Sequence, residues 1–103
     1  MNWEGHKEKL ANGESVQFRP RGNSMSPIIG SGDQVTVEPV TEADLKKGDV
    51  VFCCVKGKYY VHLVQAIQEK MGGRRFQIGN NKNHTNGTIG FNSVFGKVTK
   101  VES

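Results

Sequence analysis

The sequence predicts an all-β fold, mainly β with one or two short helices. Short segments of alternating or continuous apolar residues recur along the chain. They are separated by turn residues, with 13 glycines and 3 prolines in 103 positions. Only two stretches combine helical propensity with stop or capping signals.

Residues 2–11 form the first of these. Glu4, Lys7, Glu8, Lys9, Leu10 and Ala11 favour helix, and Trp3 and Leu10 fall on one face. Asn12-Gly13 stops it, so residues 1–13 make an N-terminal helical segment. Ser15-Val16-Gln17-Phe18-Arg19 alternates as a strand and ends at Pro20. A turn spans Gly22 to Pro27, and Ile28-Ile29 continue for one helical turn. After the loop Gly30-Ser31-Gly32-Asp33, residues Gln34 to Glu38 alternate as a second strand.

Thr41 to Lys47 is the second helical stretch, one turn with Thr41 as its cap, acids early and lysines late. Asp49 to Val55 is almost wholly apolar, as in a strand buried on both faces. Lys56-Gly57-Lys58 turns the chain into a returning strand, Tyr59 to Gln68. Met71 to Arg74 is another turn and Arg75 to Gly79 another strand. Asn80 to Gly87 reads as a polar loop, and Thr88 to Phe91 leads into a closing strand near Val94 to Val101. Val35, Val37, Val51, Phe52, Val55, Val61, Leu63, Ile67, Ile78 and Val98 are the expected core.

The length fits one domain, 1–103, with a modest core. The net charge of +4 is spread along the chain, with no basic run longer than a pair such as Arg74-Arg75. A nucleic-acid partner, which would call for a dense stripe or a reading motif, is not expected. No apolar run reaches membrane-spanning length, and the N-terminus lacks a signal-peptide core. A soluble, cytoplasmic protein is the expectation. Cys53 and Cys54 are adjacent and point to opposite faces of a strand, so two free thiols fit better than a bridge. No His or Cys pair has a zinc-binding spacing, so neither a metal nor a cofactor is expected. Composition leaves the oligomeric state open.

Two residue types suggest chemistry. Ser24 lies in the turn Gly22-Asn23-Ser24-Met25-Ser26-Pro27, and His62 lies on the strand Tyr59-Tyr60-Val61-His62-Leu63-Val64. A hydroxyl becomes a useful nucleophile when a base within hydrogen-bond reach takes its proton, and imidazole does this near neutral pH. Taken singly, Ser24 reads better as an ordinary turn serine and His62 better as a structural histidine. Asp33 and Asp49, each after glycine, read as turn residues or as acids able to orient the ring. Asn80 and Asn86 could orient it without adding charge.

The ordered set Ser24-Met25-Ser26-Pro27, Gly32-Asp33, Gly48-Asp49-Val50-Val51-Phe52 and Val61-His62-Leu63-Val64 resembles the superfamily of signal peptidases and LexA-type self-cleaving repressors. Phe76-Gln77-Ile78-Gly79-Asn80-Asn81 resembles that family's strand and Gly-Asp-Asn loop. Gly96-Lys97-Val98 resembles its closing strand. The resemblance implies a compact coiled β-sheet fold and a serine peptidase without the usual triad. In bacterial signal peptidases and LexA-type proteins the base is a lysine on the strand where His62 sits. In archaeal and endoplasmic-reticulum signal peptidases it is a histidine, which places this chain nearer the Ser-His branch.

By the same resemblance, the oxyanion hole falls to the N–H groups of Ser24 and Asn23, and Gly22, Met25 and Pro27 flank the substrate. The partner is an extended peptide or protein, cut in trans or in cis, with small side chains beside the scissile bond. A free-standing domain of this kind suits a phage or prophage gene. The family's loop acid is missing, since Gly79 to Gly87 contains none. The alternative is therefore a catalytically silent module that binds peptide or protein on the same fold. A lysine base, with Lys58 the nearest candidate, would need alkaline solution or a strongly depressed pKa.

Overall fold

The computed structural model describes residues 3–20, 25–26 and 28–103. Gly22, Asn23, Ser24 and Pro27, all named above, lie outside the described residues. One helix, α1 (Trp3–Ala11), precedes seven strands: β1 (Val16–Phe18), β2 (Gln34–Glu38), β3 (Val50–Val55), β4 (Lys58–Lys70), β5 (Gly73–Gly79), β6 (Thr85–Gly90) and β7 (Val94–Glu102). They form one antiparallel sheet in the order β1-β2-β7-β3-β4-β5-β6. The all-β class read from the sequence is the class observed, with 51% of the described residues in strands.

The apolar strand β3 lies at the centre of the sheet, where both of its faces must be covered. Its alternation divides the core in two. Val50 and Phe52 face one cluster with Val16, Phe18, Met25, Ile29, Val35, Val37 and Val61. Val51, Cys53 and Val55 face another with Leu45, Val64, Phe76, Ile78, Ile89 and Val94. Register shifts interrupt the pairings of β2 with β7, β3 with β7, β4 with β5 and β5 with β6. Each added residue bends its strand and increases the local twist.

The hairpin from β3 to β4 uses two residues, Lys56 (φ 52°) and Gly57 (φ 82°), both left-handed. A two-residue turn of that hand matches the twist of the flanking strands. α1 is short and polar, and Leu10 is its buried residue. Such a helix needs tertiary contacts to persist. Trp3 supplies them, with ring centroids 5.5 Å from Phe18, 5.4 Å from Phe52 and 5.9 Å from Tyr59. The Tyr59 hydroxyl donates to the Glu4 carboxylate.

Three expectations are corrected. The turn after Thr41 is a 3-10 turn, Glu42–Asp44, without a side-chain cap. The Thr41 hydroxyl instead donates to Asp44 Oδ2 at 2.9 Å. Residues 85–87 belong to β6 and not to a loop, because β5 offers them a partner strand that local composition does not announce. Leu63, Ile67 and Val98 are half-buried and pack against the clusters without being enclosed. Among the described residues, no helix is long and apolar enough to cross a membrane.

Candidate active site

His62 sits on β4 opposite Val51 of β3. It is the one polar residue among the buried side chains of the described chain, 8% exposed. Its ring tilts against Tyr60, with centroids 4.8 Å apart. Burying an imidazole is costly unless its polar atoms are engaged. Here His62 Nδ1 lies 2.7 Å from Asn86 Oδ1. A carbonyl oxygen only accepts, so Nδ1 carries the hydrogen and donates. In the neutral ring the lone pair therefore resides on Nε2, the tautomer a general base requires.

A bulge brings Asn86 to the ring. Ile78 pairs with Gly87 but Gly79 pairs with Thr85, so Asn86 is an extra residue on β6. Bulges commonly re-aim a side chain in this way. A second bulge does the same for Gln65, which is extra on β4 between Val64 and Ala66. Gln65 Oε1 accepts from Thr85 Oγ1 at 2.8 Å and from Gln77 Nε2 at 2.9 Å. Gln65 Nε2 donates to the His84 carbonyl at 3.1 Å. Gly79 is required beneath this network, because a Cβ there would collide with the Gln65 amide and the His84 carbonyl.

The loop between β5 and β6 closes on itself. Asn80 N donates to the His84 carbonyl at 2.9 Å, and Asn80 Oδ1 accepts from the N–H groups of Lys82 and His84. Asn81 Nδ2 donates to the Ser26 carbonyl at 2.9 Å. That bond ties the loop leading to Asn86 to the segment that follows Ser24 in the sequence. In that segment, Met25 is buried and its carbonyl accepts from Ile29 N at 3.0 Å.

Burial is the main cause holding the His62 pKa below the usual imidazole value. The Asn86 hydrogen bond works the other way, and His84 reinforces the lowering. Other candidate residues are occupied elsewhere. Asp33 Oδ2 accepts from Gly30 N at 2.8 Å. Asp49 Oδ2 accepts from Lys46 N at 2.9 Å and pairs with Lys97 at 3.5 Å. Lys58 stands four residues from His62, roughly 13 Å along β4 at ordinary strand rise. Cys53 and Cys54 are both free thiols. Burial pushes the Cys53 thiol up to about 12, far from a reactive thiolate. Among the described residues, no three His, Cys, Asp or Glu side chains are grouped to hold a metal.

Sequence reasoning named Asn86 as one of four orienting candidates but did not foresee Asn81, Gln65, Gln77 or Thr85. The doublet Asn80-Asn81 after Gly79 was the available signal. The pairing of Gln65 with Gln77 depends on a bulge that no local pattern marks.

The described chain is thus one antiparallel sheet with a buried histidine on the inner strand β4, held by the Asn86 amide. The profile of the family described as peptidase S24-like matches residues 6–99, and the chain belongs to that family, within the superfamily of LexA-type and signal-peptidase serine peptidases. No curated protein shows a significant match to the chain.

Proposed function

We propose that the protein is a serine endopeptidase in which Ser24 is the nucleophile, His62 the general base and Asn86 the residue that positions the imidazole. The observation that carries this reading is the Nδ1 to Asn86 Oδ1 contact at 2.7 Å, which selects the tautomer with a basic Nε2. The Asn81 bond to the Ser26 carbonyl supports it by linking the two segments concerned. In the reaction, Nε2 takes the proton as Ser24 Oγ attacks the scissile carbonyl, then returns it to the leaving amine. Water hydrolyses the acyl-enzyme by the same route. The N–H groups of Ser24 and Asn23 hold the oxyanion, each donor contributing two to three powers of ten by analogy. An extended peptide with small side chains at the cut is the substrate.

A second reading has its own observation. Asn86 is neutral, whereas an acid in that place would also stabilise the imidazolium. Loss of the acid costs on the order of 10⁴ in rate in a triad protease. A silent peptide-binding module on this fold is the outcome if that loss is complete.

The pH profile distinguishes them. A base must be neutral to act, and the His62 pKa lies below its ordinary value. Cleavage should therefore rise with pH, with its midpoint below the ordinary imidazole value of about 6.5, measured as kcat/KM for a small-residue peptide between pH 4.5 and 8. The Asn86→Asp variant should move the midpoint upward, since a carboxylate favours the cation. A profile that climbs only above pH 8 would point to a lysine base. Binding of the peptide without cleavage at any pH would support the silent module. Stability has the same sign. With the folded pKa depressed, the unfolded chain binds protons first, so the His62 contribution is complete above about pH 6.5 and declines as pH falls towards the folded pKa.

A further inference from the structure

Beside the turn that carries Ser26 lies a pocket of about 380 Å³ lined by residues of β4, β5, the loop between β5 and β6, the start of β6, and the segment before β3. Its wall is part apolar, from Leu63 and Val64, and part the amides already described. Gln65 and Gln77 bond each other, Thr85 bonds Gln65, and Asn81 bonds the Ser26 carbonyl. Lys47 and Asn83 stand exposed at its edge. Lys47 is the one charged residue of the lining, and no carboxylate lines the pocket. The nearest acid in sequence, Asp49, is already engaged by Lys97 and by the Lys46 N–H. Among the described residues no ion pair takes up Lys47.

We infer that this pocket is a subsite for an acidic side chain of the peptide, with the Lys47 ammonium as its charge partner and the side-chain amides of Asn81 and Asn83 as donors. The chemistry is that of a carboxylate entering a cation-edged recess. The amides offer hydrogen bonds to such a group, Leu63 and Val64 can cover its methylenes, and the Lys47 charge favours an acid over a neutral or basic side chain. The link through Asn81 to Ser26 places the subsite next to the cleavage segment, so the acid belongs to residues near the scissile bond. The inference rests on the proposed peptidase reading for its bearing on cleavage, but not for its bearing on binding.

Because Lys47 is exposed, its contribution is that of a surface ion pair, roughly two- to fivefold in affinity and weaker at high salt. The test uses the full chain carrying Ser24→Ala, so that binding is read without turnover. Fluorescent decapeptides on an alanine-glycine background carry Glu, Gln or Lys at each position in turn. Expected at low salt is tighter binding for Glu than for Lys at one or two adjacent positions, and reversal of that order in Lys47→Glu. NMR shift changes should fall on Lys47, Asn81 and Asn83. Equal binding of all three peptides, or a preference for Glu that survives Lys47→Glu, overturns the subsite. Wild-type cleavage separates the two claims. Cutting with no charge preference removes the subsite and leaves the dyad. Charge-selective binding without cutting removes the dyad and leaves the subsite.

Discussion

Ser24→Ala is expected to abolish peptide cleavage, by about 10⁴-fold or more, while changing the melting temperature little. Removing the nucleophile of a serine peptidase leaves only the small rate supplied by binding and oxyanion donors. His62→Ala should remove activity to a similar degree. It differs in stability, since it empties a buried site and leaves Asn86 Oδ1 without its donor at 2.7 Å. Asn86 is half-buried, so this loss falls towards the low end of the range of about 1–3 kcal/mol for a buried unsatisfied acceptor. Ser24→Ala is thus the clean probe of chemistry, and His62→Gln, which keeps bulk and a donor, is the better partner for it. The double variant should be no slower than either single one, because residues acting as a unit are not additive. Progress curves with a fluorogenic peptide, read beside thermal melts, check each statement. Residual cleavage in Ser24→Ala at more than a hundredth of the wild-type rate would remove Ser24 from the role.

The largest stability effect is expected at Phe52. Its ring is fully buried and meets Trp3, Phe18, Tyr59 and Phe95 at centroid distances of 5.4, 5.5, 5.9 and 5.2 Å. Phe52 thus joins the central strand to α1, β1, β4 and β7. Phe52→Ala should cost about 3–5 kcal/mol. For a domain of this size that lowers Tm by more than about 12 °C and uses a large part of an ordinary total stability. Met71, fully exposed at the turn between β4 and β5, is the control. Met71→Ala should stay within about 0.5 kcal/mol. Urea denaturation of the two variants measures the contrast. A Phe52→Ala change under 1 kcal/mol would mean that the aromatic cluster does not anchor the helix to the sheet.

Much of the fold was legible in the sequence. Val50 to Val55 has no polar residue to expose and lies at the centre of the sheet. Gln34 to Glu38 alternates, and it buries Val35 and Val37 on one side. Where the pattern was silent, the partner strand decided. Thr85-Asn86-Gly87 looks like loop and is strand because β5 runs beside it. The β4 strand extends to Lys70, past its apolar part, because β5 pairs with it to Gly73.

The site was legible in part for a related reason. A histidine among Val61, Leu63 and Val64 invites a functional reading. The identity of its hydrogen-bond partner depended on one bulge at Asn86. Bulges arise from cross-strand register and leave no periodic trace. Asn80 looked as able as Asn86 to orient the ring, yet its side chain caps its own loop through Lys82 and His84.

The most direct test of the account is covalent trapping with a fluorophosphonate probe, followed by intact-protein and peptide mass spectrometry. The account predicts a single adduct on Ser24, with labelling that rises with pH and has its midpoint below about pH 6.5. Labelling should be absent in Ser24→Ala and slowed at least about a hundredfold in His62→Gln, by analogy with the usual worth of general-base assistance. An adduct on any other residue, or labelling of Ser24 that is equally fast in His62→Gln, would contradict it.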